Sequence, residues 1–413
     1  MYRRSLLPLV RETLADSPVV LLQGARQTGK TTLVEKLGEE TGAAYQSLDV
    51  ATTLAAVRAD PAGFLASYRD RPLILDEVQR FPELLLPMKV EVDRGRRPGR
   101  FLLTGSASLL SLPRLSESLA GRMRILTLWP LSQGEIAGVD ERFIERVFDR
   151  TGDAGFSGQD ALMEGGDVLS AALQGGYPER VGKTNATQNR SWYQSYLSTI
   201  LERDVRDISD IQAPADLLRL LALVATRHGS LVNYSDLSRG LGMVDTTLKR
   251  YLALLEKVFL VRRVAAWSAN LDKRVIKAPK LYLSDSGLLA HLLGIDRERL
   301  RYDPGLAGPL IETMVYTELL KQSGWSAVQP SIHHFRTAGQ HEVDFVLERP
   351  GGEIVGIEVK AASDVGAQHF KGLKVLQEVA GSRFLRGIVL YRGREVVPFG
   401  KHLWAVPIPM LWL

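Results

Sequence analysis

The fold of this chain is decided by one stretch near its N-terminus, Gly24-Ala25-Arg26-Gln27-Thr28-Gly29-Lys30-Thr31. The stretch fits the pattern G-x-x-x-x-G-K-T, follows a short apolar run and precedes a helical pattern that starts at Thr32. Glycines let backbone N–H groups converge on phosphate oxygens, the helix N-terminus adds positive potential, and Lys30 supplies a point charge. We therefore predict a phosphate-binding loop over residues 24–32, with the Thr31 hydroxyl as a ligand of Mg²⁺.

Outward from this loop, short apolar runs alternate with helical stretches as far as about Pro130. This alternation is typical of a parallel sheet covered by helices. Five runs are candidate strands: residues 19–22, 44–50, 72–75, 101–103 and 124–128. We predict an α/β domain whose sheet carries the phosphate-binding loop at the end of its first strand.

The third run ends in two acids, Asp76 and Glu77. A buried apolar strand that ends in an acid is a Walker B pattern, and Asp76 is expected to hold Mg²⁺ through water. A second acid beside the metal ligand can act as a general base, so Glu77 is predicted to polarise the attacking water. An ordinary strand with an acidic turn has the same sequence, but the preceding phosphate-binding loop favours a nucleotide site.

Small hydroxyl residues follow the fourth run, in Thr104-Gly105-Ser106. A side chain that senses the γ-phosphate is expected here if this strand lies between the strand of the loop and the strand of Asp76. Thr104, or alternatively Ser106, is the candidate sensor. The same three residues are also typical of a simple turn, and the sequence leaves that alternative open.

Arg122 lies in Leu119-Ala120-Gly121-Arg122, just before the fifth run. An arginine at this place can act as a finger that neutralises the γ-phosphate of a neighbouring subunit. A solvated arginine, or a sensor within its own subunit, are the alternatives. The site is expected to bind ATP with Mg²⁺, and its predicted catalytic residues are Glu77, Lys30, Thr104 and Arg122.

These motifs resemble those of the prokaryotic AAA+ ATPases in which an N-terminal ATPase domain is fused to a C-terminal domain of unknown function. The resemblance implies an AAA+-type sheet and assembly into a ring or dimer, but it names no substrate. It rests on six stretches that span nearly the whole chain: residues 23–33, 75–79, 103–106, 119–122, 175–179 and 202–205.

Residues 233–252 have the pattern of a helix, a turn and a second helix, and a β-rich run that contains Arg262-Arg263 follows them. This order indicates a winged helix-turn-helix. Leucines of the second helix are expected to face the core, whereas Lys249 and Arg250 face outward, as contact with nucleic acid requires. Such modules also bind proteins or act as lids, and the sequence does not choose between these roles.

The last part of the chain places Glu312 on a helix, Asp344 on a strand and Glu358-Val359-Lys360 on the next strand. An Asp followed by Glu-x-Lys on the next strand resembles the PD-(D/E)xK nuclease-like fold. Glu358 and Lys360 share one face of their strand. Asp344, Glu358 and Glu312 could then bind a second Mg²⁺ or Mn²⁺, while Lys360 orients or activates water. Two amphipathic strands with a wet polar face give the same pattern, so a degenerate or structural copy is the alternative.

Composition adds weaker indications. The net charge of +5 favours nucleic acid or nucleotides only mildly, and the absence of Cys agrees with a reducing compartment, so we expect a cytoplasmic protein. No uncharged run reaches the ~18 apolar residues that a membrane-spanning helix needs, so no membrane partner is expected. The expected partners are ATP, a nucleic acid such as DNA, and further copies of the chain.

With 413 residues, the chain exceeds the size of one hydrophobic core, so several domains are expected. The predicted division is an AAA+ P-loop domain over residues 1–135, a helical linker or lid over 136–212, a winged helix-turn-helix over 213–300 and an α/β nuclease-like domain over 301–413. Two hypotheses for the whole chain remain. In one, ATP-driven rearrangement controls a nuclease-like domain that acts on nucleic acid; in the other, the chain is an ATP-dependent switch or adaptor without cleavage.

Overall fold

The structure is a computed structural model that describes residues 2–106, 119, 121–150, 167–183, 185–205 and 214–412. Two sheets organise these residues, one in the N-terminal part of the chain and one in the C-terminal part. Helices cover both sheets, and a helical segment connects them. No helix in the described ranges is both long enough and apolar enough to cross a bilayer.

The N-terminal sheet has five parallel strands in the order β2-β3-β4-β1-β5. Its strands are β1 Val19–Gln23, β2 Ala44–Ser47, β3 Leu73–Asp76, β4 Phe101–Gly105 and β5 Met123–Thr127. Each of the five predicted strands is therefore present, and the predicted α/β class is confirmed. The order places β4 between the strand of the phosphate-binding loop and the strand of Asp76, as the sensor hypothesis requires.

Helices cover both faces of this sheet, which explains why its strands are apolar without interruption. They are α1 Leu7–Asp16, α2 Lys30–Thr41, α3 Ala51–Ala59, α4 Pro61–Ala66 and α5 Leu85–Arg94. Alternate residues of β1 enter two different cores: Val19 and Leu21 pack in one, Val20 and Leu22 in the other. All four are fully buried. The sheet is thus held from both sides, and its strand ends are fixed in position.

The connecting segment is mainly helical. Its elements are α6 Gln133–Ala137, α7 Phe143–Phe148, α8 Val168–Gln174, α9 Ala186–Thr199, α10 Pro214–Thr226, α11 Tyr234–Leu241 and α12 Asp245–Lys257. Helix α9 begins at Ala186 and changes at Ile200 into a π-helical turn that runs to Asp204. Residues 206–213 lie outside the described part of the chain.

The C-terminal sheet has eight strands in the order β12-β13-β11-β10-β9-β8-β6-β7. Its strands are β6 Val261–Ala266, β7 Lys280–Leu283, β8 Ser331–Arg336, β9 Glu342–Glu348, β10 Ile354–Lys360, β11 Phe384–Tyr391, β12 Val397–Gly400 and β13 Leu403–Pro407. The helices of this part are α13 Leu271–Ile276, α14 Ser286–Leu293, α15 Arg297–Tyr302, α16 Ala307–Trp325 and α17 Lys371–Ala380.

Strand β6 joins two regions that the sequence separates. Its first residues pair with β7 in an antiparallel hairpin, and its last two, Ala265 and Ala266, pair with β8. The hairpin that follows the helix-turn-helix is therefore the edge of the large C-terminal sheet. This one sheet includes strands from both sides of the predicted domain boundary between residues 300 and 301. The division into domains therefore remains a prediction.

A buried arginine connects the phosphate-binding loop to the rest of the fold. The Arg4 guanidinium donates to the backbone oxygens of Thr28, at 2.6 Å, and Trp129, at 2.7 Å. Its Nε donates to the Glu135 carboxylate at 3.1 Å. Because a buried charge is stable only when it is paired and hydrogen-bonded, Arg4 holds the loop, the end of β5 and α6 in one arrangement.

The same network continues to the long helix α16. The backbone N–H of Gln133 donates to Glu318 at 2.8 Å, and Lys321 donates to Glu318 and to the Leu131 carbonyl at 2.8 and 2.9 Å. Burial, and next the Glu318 carboxylate, raise the pKa of Glu141 to about 8. The Glu141 carboxylate accepts from the Ser132 hydroxyl at 2.5 Å and from the Gly134 N–H at 3.2 Å. The N-terminal and C-terminal sheets are thus joined through buried polar groups.

Replacing Arg4 with Met is expected to lower the free energy of unfolding by about 3–5 kcal/mol, because Glu135 would remain as a buried unpaired charge. Urea unfolding followed by circular dichroism measures this. The control is Arg3→Met: the Arg3–Asp140 pair is exposed, at 68 and 63%, and its loss should cost no more than about 1 kcal/mol. Equal losses in the two variants would contradict the role given to Arg4.

Candidate functional site

The predicted nucleotide-site residues meet at one edge of the N-terminal sheet. In a parallel sheet the carboxyl ends of all strands lie on the same edge, where ligands of open α/β folds bind. The loop follows β1, Asp76 ends β3, and Thr104 lies near the end of β4, level with Leu22. The Gly24 N–H donates to the Gly105 carbonyl at 3.2 Å, which fixes the start of the loop on β4.

The loop has the backbone that a phosphate cradle needs. Gly29 lies in the left-handed region, with φ 90°, directly before α2, which begins at Lys30 rather than at the predicted Thr32. Gln27 is also left-handed, with φ 61°, and its side chain is exposed. Gly24 packs so closely on β5 that an added Cβ would lie 2.2 Å from the Leu128 carbonyl oxygen. Ala25 and Thr28 are buried, and Thr32 is exposed in the first turn of α2.

Lys30 points back over the loop. Its Nζ donates to the carbonyl oxygens of Gly24, at 3.0 Å, and Ala25, at 2.8 Å. Burial lowers the pKa of Lys30 to about 8, although the negative charges of Glu77 and Asp76 oppose this effect. The lysine is therefore a desolvated cation that carbonyl oxygens hold, and phosphate oxygens are acceptors of the same kind.

Asp76 is the centre of the site. Its buried carboxylate accepts from the Thr31 hydroxyl at 3.0 Å, from the Tyr45 hydroxyl at 2.9 Å and from the Thr104 hydroxyl. The Thr104 Oγ also accepts from the Glu77 N–H at 3.0 Å. Thr31, Asp76 and Thr104, which the sequence predicts separately, are thus joined directly, and Tyr45 is a contact that sequence reasoning missed.

Glu77 has an unusual backbone. Its φ of 60° is in the left-handed region, where a non-glycine residue is under strain, and such residues cluster at functional sites. Its carboxylate accepts from the Gln79 side chain, whose Nε2 also donates to the Ser106 hydroxyl at 2.8 Å. Gln79 therefore connects the candidate base with the alternative sensor. It belongs to the motif of residues 75–79, but the sequence assigned it no role.

The loop residue Arg26 makes an ion pair with a distant part of the chain. Its Nε and Nη2 donate to the Asp204 carboxylate, with Nη2 to Oδ1 at 2.6 Å. The Asp204 side chain is almost fully buried, and that of Arg26 is partly buried. The hydrogen bond that Arg26 donates to Asp204 raises the pKa of Arg26, and the charges of Asp204, Glu77 and Asp49 add to this effect.

Arg122, the candidate finger, pairs with Asp93 on α5. Its Nε and Nη2 donate to the two carboxylate oxygens at 2.5 and 3.1 Å, and both side chains are partly exposed. This hydrogen bond lowers the pKa of Asp93. Ala120 of the same motif lies outside the described residues. Whether Arg122 acts on a neighbouring subunit remains a prediction.

The four predicted residues of the C-terminal domain, Glu312, Asp344, Glu358 and Lys360, lie close to one another. Burial, and next the Glu312 carboxylate, raise the pKa of Asp344 to about 7. Burial, and next Asp344, raise the pKa of Glu358 to about 7. Lys360 donates to Glu358 Oε1 at 2.7 Å. Each of the four groups therefore lies within the electrostatic reach of another.

Individual partners hold these acids in place. The Tyr282 hydroxyl donates to Glu312 at 2.6 Å, and the Val359 N–H donates to Asp344 at 2.8 Å. Glu358 Oε2 is buried, and no group of the described residues makes a hydrogen bond with it. In the described part of the chain, no three acidic or histidine side chains are arranged to hold a metal ion. The cluster is thus assembled, but its carboxylates are engaged by protein groups.

Lys280, a buried lysine that sequence reasoning missed, belongs to this cluster. It pairs with Glu342 and lies 4.0 Å from Asp344 Oδ1. Burial opposes its charge, but the carboxylates of Asp344, Glu312 and Glu342 outweigh burial, so the pKa of Lys280 is raised. A lysine at the first position of an apolar strand is the only signal that the sequence offers.

The helix-turn-helix region has the predicted burial pattern. Leu248, Leu252 and Leu255 are fully buried, while Lys249 and Arg250 are exposed. The two arginines of the predicted wing, however, face other protein groups. Arg262 stacks over the Trp129 ring at 5.5 Å, and Arg263 pairs with Glu256 at 3.1 Å. These two side chains hold the hairpin against the fold.

Three family models match the chain. Residues 16–137 match an AAA domain, residues 166–299 a domain of unknown function (DUF8612), and residues 307–411 another domain of unknown function (DUF4143). The AAA match and the site at the sheet edge define the N-terminal part as a P-loop ATPase domain of the AAA type. The two other matches leave the winged-helix and nuclease-like assignments as predictions.

Two mycobacterial proteins are similar over almost the whole chain. They are the uncharacterized proteins Rv2008c of Mycobacterium tuberculosis and Mb2031c of Mycobacterium bovis, each 32% identical over 407 residues. The alignment covers 98% of this chain and 83% of each relative. The chain belongs to the family of these proteins.

Two solved structures are also similar to this chain, at low identity. The Walker-type ATPase PABY2304 of Pyrococcus abyssi is 14% identical, and the match covers 71% of this chain and 96% of that one, with a TM-score of 0.42. The Aeropyrum pernix ORC2 protein, solved as ADPNP-ADP complexes, is 15% identical, with coverages of 72 and 92% and a TM-score of 0.29.

Replacing Gly24 with Ala is expected to abolish nucleotide binding, because the new Cβ would collide with the Leu128 carbonyl and displace the loop. Titration with a fluorescent ATP analogue measures the loss. Gly42→Ala is the matched control, since Gly42 also has a positive φ but no heavy atom lies within 4 Å of a Cβ there. The control should lose about 1 kcal/mol of stability and retain binding. If Gly24→Ala bound the ATP analogue with the affinity of the wild type, the close packing of Gly24 on Leu128 would not be required for nucleotide binding.

Proposed function

We propose that this protein binds ATP with Mg²⁺ and hydrolyses it at the edge of the N-terminal sheet. The observation that carries the proposal is the contact of the Thr31 and Thr104 hydroxyls with the Asp76 carboxylate, beside the backbone-strained Glu77. A phosphate loop, a metal-binding hydroxyl and acid, and a base are the parts that ATP hydrolysis requires. All of them lie within one set of contacts.

The residues fit Mg²⁺, which prefers oxygen ligands and retains several waters. The Thr31 hydroxyl and the Asp76 carboxylate, 3.0 Å apart, supply such oxygens. When bound, the metal neutralises charge on the β- and γ-phosphates. In this proposal Lys30 and the loop N–H groups hold the phosphates, Thr104 keeps Asp76 in place, and Glu77 orients the attacking water and accepts its proton.

Lys30→Ala should weaken ATP binding, because it removes the buried cation that faces the phosphates. Glu77→Gln should retain binding but lower kcat by about 10²–10⁴-fold, since the amide cannot accept the proton. Binding is measured with a fluorescent nucleotide and turnover by phosphate release.

Glu39→Gln serves as the control, because Glu39 is an exposed acid of α2 outside these contacts, and both measurements should remain at the wild-type level. Equal turnover by the wild type and Glu77→Gln would remove Glu77 as the base. If Lys30→Ala bound ATP as tightly as the wild type, the site itself would be wrongly placed.

A second candidate function belongs to the C-terminal acidic cluster, which we propose to be a nuclease-like site that ATP hydrolysis controls. Three observations support it: the mutual influence of Glu312, Asp344 and Glu358 on their pKa values, the Lys360–Glu358 contact, and the buried unpartnered Oε2 of Glu358. An unpaired carboxylate oxygen in a buried acidic cluster suits a divalent cation. A switch or adaptor without cleavage is the alternative.

Metal binding and cleavage test the two alternatives. Calorimetry with Mn²⁺ alone should detect a site that Glu358→Gln removes and that the exposed control Glu378→Gln retains. Incubation of single- and double-stranded DNA and of RNA with ATP and Mg²⁺ or Mn²⁺ should give cleavage that the same substitution abolishes. If the wild type binds no Mn²⁺ and cleaves nothing, the adaptor alternative is correct.

Assembly with further copies of the chain is also part of the proposal. If Arg122 acts as a finger on a neighbouring γ-phosphate, it must leave Asp93, its partner within the subunit. Because both side chains are partly exposed, this exchange requires no buried charge to be uncovered.

The absence of cysteine agrees with a cytoplasmic location.

A further inference from the structure

Asp204 is the partner of the phosphate-loop arginine, yet it lies 178 residues away in the sequence. It ends the π-helical turn Ile200–Asp204 that continues α9. The motif of residues 202–205 contains it, and the proposed hydrolysis gives it no role. A carboxylate that contacts the loop of a nucleotide site but comes from another part of the fold needs an explanation.

The contact has the geometry of a side-on pair. The Asp204 oxygens accept from Nε and Nη2 of Arg26, so Asp204 occupies one edge of the guanidinium group. Nη1 donates no hydrogen bond to any of the described residues. Because the guanidinium is planar and carries five N–H donors, fixing one edge also fixes the direction of the remaining donors.

Arg26 belongs to the phosphate-binding loop, so its remaining donors are carried by the element that would hold the phosphates. In the sequence Arg26 lies between Gly24 and Lys30, and its positive charge contributes to lowering the pKa of Lys30. The charge of Glu77, the candidate base, in turn reaches Arg26. An arginine of the phosphate-binding loop whose charge interacts with both Lys30 and Glu77 is a candidate contact of the terminal phosphate.

The helix that carries Asp204 is built for this contact. Tyr196 and Asp204 are eight residues apart. On a regular α-helix, with 3.6 residues in each turn, their side chains would point in directions about 80° apart around the helix axis. The extra residue in the π-turn brings position 204 back towards the face of Tyr196. The Tyr196 hydroxyl donates to the Arg26 carbonyl at 3.4 Å, so both the backbone and the side chain of Arg26 are held by this helix. Such π-turns occur often at functional sites.

We infer that Asp204 is a positioning residue of the ATP site, which directs Arg26 towards the γ-phosphate so that the protein distinguishes ATP from ADP. This inference rests on the proposed function. Since arginine at the γ-phosphate stabilises the charge of the transition state, Asp204 also supports hydrolysis. Because Asp204 belongs to the connecting segment, ATP recognition requires that segment to be docked on the loop.

The test compares the binding of a non-hydrolysable ATP analogue and of ADP to the full chain. Asp204→Asn keeps the shape of the side chain but removes the charge that fixes the guanidinium. We expect about tenfold weaker binding of the ATP analogue, equal to about 1.4 kcal/mol. ADP binding should change less than about twofold, because ADP has no γ-phosphate, and kcat should fall. Glu202→Gln, at an exposed position of the same turn, should leave all values unchanged.

The exchanged double variant Arg26→Asp with Asp204→Arg separates positioning from simple stabilisation. It restores an ion pair and should recover most of the thermal stability lost in Asp204→Asn. It cannot recover the preference for the ATP analogue or the turnover, because no arginine remains in the loop. If the exchanged pair recovered the preference for the ATP analogue and the turnover, the inference would be overturned and Asp204 would have only a structural role.

Arg26→Gln makes the test independent of the folding of the Asp204 variants. It removes the guanidinium itself and should lose the same preference for the ATP analogue over ADP. If Arg26→Gln and Asp204→Asn both retain the wild-type preference, the inference is wrong while the proposed ATPase stands. If the wild type binds neither nucleotide, the proposed function and the inference both fail.

Discussion

The nucleotide site depends on one buried carboxylate, that of Asp76. A charge removed from water is stable only if hydrogen bonds replace its solvation, and Asp76 obtains them from Thr31, Tyr45 and Thr104. These donors come from three different elements, so satisfying one carboxylate fixes the loop helix α2, the strand β2 and the strand β4 relative to β3. The geometry needed for chemistry is therefore also the geometry that the buried charge requires.

A second set of buried charges connects this site to the rest of the chain. Arg4 holds the carbonyl of Thr28 in the loop, and Glu135 pairs with Arg4. From α6 the polar contacts continue to Glu318 and Lys321 on α16, the helix that also carries Glu312 of the C-terminal cluster. Because buried polar contacts are costly to break, a change at the loop and a change at α16 are expected to occur together.

The two acidic sites differ in how far their residues are committed to protein contacts. In the nucleotide site, the hydroxyl and carboxylate oxygens that suit Mg²⁺ already lie side by side. In the C-terminal cluster, Lys280 and Lys360 balance the carboxylates, and Glu358 Oε2 has no hydrogen-bond partner among the residues that the structure describes. A cation there would have to compete with these lysines.

The sequence by itself determined the strands of the N-terminal sheet, the position of the predicted phosphate-binding loop and the shared strand face of Glu358 and Lys360. Each follows from local rules: apolar runs bounded by helices, glycines at fixed spacing, and alternation along a strand. Local patterns do not record contacts between distant residues, so Tyr45, Gln79, Lys280 and the Arg26–Asp204 pair required the tertiary structure. The same reason explains the hairpin of β6 and β7, which looked like a separate wing in the sequence. Only the hydrogen bonds between β6 and β8 make it the edge of the C-terminal sheet.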